Sequence, residues 1–350
     1  MNATAKPLVL ALGIFALTTS CSTPTNTNTT SGANTTLAVS AQTQQTIKID
    51  GSSTVFPITD AIAKEYKKTK QNQANIQTAF SGTSGGFKKF CAGETDISDA
   101  SRPINAEEMK ACNKAGVRFI ELPIAFDALT VVVNPQNTWA KDITRAELKK
   151  LWEPAAEGKI TKWNQIRPSW PDRPITLYGA GKDSGTFDYF TEAAVGQPRA
   201  SRNDYTASED DNVLVQGVAK DPNSLGYFGF AYFEDNQDKL RALAIDNGKG
   251  PVLPSRQTVE KVQYQPLARP LFIYVNAKSS QTKPEVREFV KFYLNNAQKI
   301  VETVNYIPLP NEGYHIAKIH LETGKVGTVF EGKAELDLTI GELLRKTKQF

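Results

Sequence analysis

Near the start of its body the chain twice runs from a short strand pattern, through a turn of small hydroxyl residues and glycine, into a helical repeat. This alternation restricts it to an α/β fold. Ile47-Lys48-Ile49 alternates as a strand does, GSSTVFP follows at 51–57, and Ile58, Ile62 and Tyr66 then recur at helical spacing. Ser53 or Thr54 can cap that helix, and Pro57 falls in its first turn, where a missing N–H is tolerated. Residues 76–80 read as a second strand, and SGTSGGF at 81–87 opens a helix from Thr83 that carries Phe87 and Phe90. Two further strands are expected at 117–122 and 129–133. A second α/β region from Ala128 shows a helix at 145–152, a strand at 175–178 and KDSGTF at 182–187, with Ser184 opening a helix that holds Phe187, Phe190 and Ala194. Residues 212–219 read as a helix, SLGYFGFAYF at 224–233 as a buried strand or turn, 271–275 as a strand and 283–303 as a long helix. The last stretch, 313–350, is charged and weakly patterned, with a short helix at ELLRK, 342–346.

A chain of 350 residues is long enough for two ordinary domains. Lys and Arg number 41 against 37 Asp and Glu, a balance too even to imply a nucleic-acid partner. The first 21 residues read as an export signal: Lys6 precedes an apolar run at 7–17 that is too short to span a bilayer. Thr18-Thr19-Ser20-Cys21 resembles a lipoprotein processing site that would lipidate Cys21. Leu17 stands four residues before the cysteine rather than three, so cleavage without a lipid stays open. Residues 22–45, rich in Thr, Asn, Ser and Gln, read as a disordered tether. In an exported protein Cys91 and Cys112 can pair as a disulfide, with two buried free thiols as the alternative. No CxxC and no nearby histidine point to a metal, and no cofactor is expected.

Helix starts expose N–H groups with no partner in the helix, and the helix dipole adds positive charge, so they attract anions. Singly, Thr54, Thr83 and Ser184 are plain N-caps. Three such starts in one chain suggest convergence on one oxyanion. Ser184-Gly185-Thr186 adds two hydroxyls and a glycine that lets a ligand approach the backbone. DISDASRP at 96–103 supplies Asp99. A carboxylate repels an anion unless the anion carries a proton, as phosphate does near neutrality and sulfate does not. Asp99 as an acceptor would therefore select phosphate. Arg102 could neutralise Asp99 and make a forked contact to the anion, the alternative being a surface turn with a local ion pair. Trp152 and Trp163 read as packing, and Glu209-Asp210-Asp211 as a solvated helix start.

Enzyme readings fare poorly. Gly82-Thr83-Ser84-Gly85-Gly86 fits the G-x-S-x-G nucleophile elbow, and Asp183-Ser184-Gly185 is similar to the serine region of trypsin-like proteases. Either needs a general base, yet the two histidines, His315 and His320, stand in the weakly patterned tail. GAGKDS at 179–184 matches neither nucleotide fingerprint.

IDGSSTVFPI, FSGTSGGFKKFCAGETDISDASRPI, GKITKWNQI and DSGTFDYF together resemble, in order and spacing, the periplasmic phosphate-binding proteins of ABC uptake systems. The match is to the PstS type in its cyanobacterial-looking variant, and covers 47–310. The resemblance implies a two-domain periplasmic solute-binding fold of type II, with two hinge crossovers and the ligand cleft between the domains. One domain would comprise 46–127 plus 267–312 and the other 128–266, leaving 313–350 as an extension of unknown role. It implies phosphate contacts from Ser53, Thr54, Val55, Thr83, Ser84, Asp99, Ser184, Gly185 and Thr186. Some members carry an arginine four residues before the Ser-Gly-Thr serine; Ala180 stands there, so Arg102 is expected to take that role, with Lys182 as second choice. The implied function is binding of inorganic phosphate and its delivery to the transmembrane subunits of an ABC permease, without enzymatic activity. The receptor would be monomeric and periplasmic, touching the membrane only through its lipid. The alternatives are a receptor for another tetrahedral oxyanion, a phosphate sensor without transport and, more distantly, a secreted serine hydrolase or phosphatase.

Overall fold

The computed structural model describes residues 46–69 and 75–350; the expected signal segment, Cys21 and the tether lie outside the described residues. In chain order the first elements are β1 (Thr46–Gly51), α1 (Phe56–Thr69), β2 (Asn75–Thr78), α2 (Thr83–Cys91), β3 (Ile97–Ala100), α3 (Ala106–Lys114) and β4 (Phe119–Val133). Then come β5 (Asp142–Thr144), α4 (Arg145–Trp152), α5 (Trp163–Ile166), β6 (Thr176–Ala180), α6 (Gly185–Phe190), β7 (Thr206–Ser208), α7 (Asp211–Lys220), β8 (Ser224–Gly229) and α8 (Phe230–Glu234). Short strands β9 (Arg241–Ala242), β10 (Ala244–Asp246) and β11 (Pro251–Val252) lead to α9 (Arg256–Glu260) and β12 (Ala268–Asn276). The chain closes with α10 (Ala277–Thr282), α11 (Pro284–Thr303), β13 (Ile307–Pro308), α12 (Asn311–Thr323) and α13 (Ile340–Gln349). No helix among the described residues is long and apolar enough to cross a membrane.

One long sheet, ordered β2-β1-β3-β12-β4-β8-β6-β7, organises the chain, and β4 serves two halves of it. Phe119 to Ala128 pair antiparallel with β12, which joins β3, β1 and β2; Leu129 to Val133 pair with β8, which leads to β6 and β7. The chain thus passes from the first half to the second along β4 and returns on entering β12. The two expected strands at 117–122 and 129–133 are one strand. Pro123 and Asp127 break the apolar pattern, and a bulge at Leu271/Phe272 carries the pairing past Ile124. Every residue of β4 and β12 is buried, as strands covered on both faces require.

Helices α1 and α2 follow the expected pattern. Ile58, Ile62 and Tyr66 bury one face of α1, and Phe87 and Phe90 one face of α2. The Ser184 helix runs through α6 into a π-helical turn at Thr191–Val195, and SLGYFGFAYF resolves into β8 and α8. The tail departs from expectation. Helix α12 buries Tyr314, Ala317 and Leu321 in the main core, and Tyr314 donates its hydroxyl to the Ile124 carbonyl (2.9 Å). The His and Lys residues between these positions hide the helical spacing in the sequence.

Cys91 and Cys112 form the expected disulfide, joining the end of α2 to α3 across a sequence separation of 21. A closed loop of this size restricts the unfolded chain by about 3 kcal/mol. Replacing both cysteines with serine should lower the unfolding free energy from urea titration by about 3 kcal/mol; an unchanged value would count against it.

Candidate functional site

The N-terminal ends of α1, α2, α6 and α7 meet between the two halves of the sheet. Gly82 holds the turn before α2 at φ 77, and a Cβ there would lie 2.3 Å from the Asp183 carbonyl oxygen of the opposite half. A Cβ on Gly185 would lie 2.5 Å from Thr83 Oγ1 and 2.6 Å from Ser101 Oγ. Only glycine permits this approach. Across the same gap Thr54 Oγ1 and Thr186 Oγ1 stand 3.2 Å apart, and the Ser84 N–H donates to the Asp183 carbonyl (2.8 Å).

The structure brings Thr54 beside Thr186 and Thr83 beside Gly185, while Arg102 reaches Ser84 and the Asp99 side chain pairs with Thr59. Ser53, Thr54 and Val55 form the turn into α1 and are buried. Ser53 donates to Asp211 (3.2 Å), and its carbonyl accepts from Tyr232 (3.0 Å). Thr83 Oγ1 accepts the Ser101 N–H (3.1 Å). Ser184 Oγ caps α6 by accepting from the Thr186 N–H (3.0 Å). Asp99 lies on β3 beside Gly51 of β1, and its carbonyl accepts from the Ser52 N–H (3.0 Å). Its Oδ1 accepts from Thr59 (3.0 Å), while its Oδ2 is buried with no hydrogen-bond partner among the described residues.

The expected pairing of Arg102 with Asp99 is corrected, since its acid partners are Glu108 and Asp188. Its Nε donates to Asp188 (2.7 Å), Nη1 to Glu108 (2.8 Å) and the Pro103 carbonyl (3.0 Å), and Nη2 to Glu108 and Ser84 (both 2.8 Å). A guanidinium has five donors, and protein groups take all of them. Glu108, six residues further along, presents a carboxylate to the fork from α3 and outcompetes Asp99.

The cation of the cluster is Arg269, which sequence reasoning missed. It is fully buried on β12, where the chain returns to the first half of the sheet. Its Nη2 donates to Thr186 (2.9 Å), Thr54 (3.2 Å) and Asp127 (3.0 Å), and its Nε to Asp127 (3.3 Å). Its Nη1 is buried without a partner among the described residues. The signal lay in the sequence: an Arg-Pro pair heads the apolar run LFIYV, where a charge needs a buried counterpart. Asp127 on β4 is that counterpart, directly opposite in register.

Burial pushes the Asp99 carboxyl up to about 8, with the Asp50 charge adding to the shift and the Thr59 hydrogen bond opposing it. Burial likewise raises Asp211 to about 7. The acidic run Glu209-Asp210-Asp211 is thus no solvated helix start. Asp211 is 2% exposed, and Glu209 accepts from the Asp183 N–H (3.0 Å), because α7 points its N-terminus into the gap rather than at solvent.

Two buried atoms of opposite polarity have no hydrogen-bond partner among the described residues: Asp99 Oδ2, an acceptor when ionised, and Arg269 Nη1, a donor. An arginine donor, helix N-termini and hydroxyls suit an oxyanion, and a carboxyl acceptor suits one that carries a proton.

The family model described as the PBP superfamily domain matches residues 36–297. The chain is 61% identical over 310 residues to Protein SphX of Synechocystis sp., covering 89% of this chain and 92% of that one. It is 35% identical to the phosphate-binding protein PstS of Staphylococcus saprophyticus, covering 77% and 82%. Among solved structures it is similar to a possible phosphate-binding protein from Planctomyces limnophilus, with 46% identity and a TM-score of 0.60 over 81% of this chain and 99% of that one. It is also similar to a putative phosphate ABC transporter substrate-binding protein with bound phosphate from Clostridium perfringens, with 26% identity and a TM-score of 0.63 over 76% and 100%. With its α/β solute-binding fold, the chain belongs to the PBP superfamily, among the PstS-like phosphate-binding proteins.

Proposed function

We propose that this protein binds inorganic phosphate between Asp99 and Arg269 and delivers it to a membrane ABC phosphate permease. The observation that carries the reading is the pair of buried, unpartnered atoms, Asp99 Oδ2 and Arg269 Nη1. An unmade hydrogen bond on a buried group costs about 1–3 kcal/mol, more on a charged one. Hydrogen phosphate satisfies both atoms, taking the Arg269 donor on an oxygen and giving its proton to Asp99. The Thr54, Thr83, Ser184 and Thr186 hydroxyls and the Val55 and Gly185 backbone complete the cage, and the two halves of the sheet act as lobes closing over the ion. The lobes correspond to 46–127 plus 267–312 and to 128–266. Residues 313–350 brace the first. The relatives named for phosphate binding and transport support the same reading.

The protein acts as a receptor, not a hydrolase. Ser84 Oγ accepts from Arg102 and Ser184 Oγ from the Thr186 N–H. His315 and His320 belong to α12, and His320 sits beside Phe350. Among the described residues neither serine has a histidine hydrogen-bonded to it as a general base. Export by residues 1–21 and a lipid on Cys21 would keep a monomeric receptor at the outer face of the membrane, next to the permease.

Calorimetric titration of the phosphate-free protein tests the reading. Above about pH 8, where Asp99 is ionised, phosphate should bind at a single site and sulfate should give no binding heat. Sulfate binding as tight as phosphate would sink the role given to Asp99, and no phosphate binding would sink the function.

A further inference from the structure

We infer that Arg102 is a latch across the cleft, which slows release of the bound anion by tying α2 and α3 to α6 without touching the ion. The inference rests on the phosphate-receptor reading but goes beyond it. Arg102 follows β3 in the first half of the sheet; Asp188 lies on α6 in the second. Their 2.7 Å contact is an ion pair in which both side chains are nearly buried, with exposures of 5% and 7%. A second ion pair that joins the two halves, Lys88 with Asp183, is 69% and 44% exposed, and solvent and salt screen it. The Arg102 contact therefore carries more of the closed state's electrostatic stabilisation.

The surroundings fit a latch better than a ligand contact. Glu108 holds the Arg102 fork from one side, and Asp188 is held in turn by Arg199 Nη1 (2.8 Å). Two cations and two carboxylates balance, leaving no net positive charge to attract an anion. The Cys91–Cys112 disulfide fixes α3, the helix that bears Glu108, to the end of α2. Arg102 also donates to Ser84, next to Thr83, while Asp188 lies two residues past Thr186. One guanidinium therefore braces both anion-binding turns from behind. When the halves separate, the Arg102–Asp188 bond must break while the Arg102–Glu108 fork stays within the first half. Asp188 is left with Arg199.

Stopped-flow kinetics on the full chain with phosphate as the probe test the latch. Arg102→Lys keeps the charge but cannot bridge Glu108, Ser84 and Asp188 at once. Asp188→Asn keeps the size and removes the charge. Each should release phosphate about 30-fold faster with the association rate changed less than about threefold, as expected when a buried charge pair is broken. The double variant should be no worse than the single ones, because both remove the same bond. Glu108→Gln, which leaves Arg102 and Asp188 in place, should give a smaller increase and guards against misfolding of the others, with the ligand-free melt as the check on folding. Release rates within twofold of wild type in folded single variants would overturn the latch. So would effects that multiply in the double variant, since Arg102 would then act on the ion independently of Asp188. Loss of phosphate binding by the wild type would instead refute the function itself.

Discussion

Replacing Arg269 with lysine should weaken phosphate binding by at least about 100-fold, or about 3 kcal/mol, while the protein stays folded. Lysine keeps the positive charge opposite Asp127, so the buried carboxylate is not left alone. Its single ammonium cannot reach Asp127, Thr54 and Thr186 and still offer the donor that Arg269 directs along Nη1. Arg269→Met is the harsher change. It strands Asp127, which is 2% exposed, with a loss of about 3–5 kcal/mol of stability on top of the lost binding. Calorimetry and chemical denaturation on the two variants separate the effects: lysine should lose affinity with little stability, methionine both. Undiminished phosphate binding by the lysine variant would remove Arg269 from the site.

Asp99→Asn should admit sulfate and abolish the pH dependence of that admission. In the wild type, burial keeps the Asp99 proton up to about pH 8. Above that pH the carboxylate faces an unprotonated sulfate oxygen with lone pairs on both sides, and sulfate is rejected. As the pH falls through about 8, Asp99 gains a proton of its own and can donate to sulfate, so selectivity erodes in acid. Asparagine donates at every pH, and the variant should bind sulfate equally on both sides of that value. Stability carries the same signature. Between the ordinary carboxyl range and about 8, the folded state of the ligand-free wild type binds the Asp99 proton and the unfolded chain does not, so the stability due to this group falls as the pH rises. The asparagine variant should lack that slope. Rejection of sulfate by the variant at all pH values would show that selection resides elsewhere.

Local turn chemistry was the most legible part of the chain. The Ser184 cap on α6 and the start of α2 at Thr83 follow from residues within a few positions of one another, whereas the Ser53 and Thr54 hydroxyls turn from capping α1 to Asp211, Thr186 and Arg269 on other elements. The cation was not legible, because it depends on pairing over a long range. Arg269 meets Asp127 only through the register of β12 on β4, a contact spanning 142 positions. Arg102 looked like the partner of Asp99 because it is three residues away, but the strand end turns it toward α3 and α6. The same limit hid the depth of Asp211, whose burial comes from the approach of Ser53 and Tyr232 from other elements. Continuity of β4 through Pro123 was equally invisible, since the bulge that allows it depends on the partner strand.

The most direct test of where the anion sits is crystallographic. Arsenate is tetrahedral and protonated like phosphate, and its arsenic atom gives an anomalous signal that locates it without ambiguity. Crystals grown with arsenate should show one strong peak, with arsenate oxygens in hydrogen-bond contact with both Asp99 Oδ2 and Arg269 Nη1 and none in contact with Arg102. A peak seated against the Arg102 guanidinium, or one that leaves Asp99 and Arg269 without contact, would contradict this assignment.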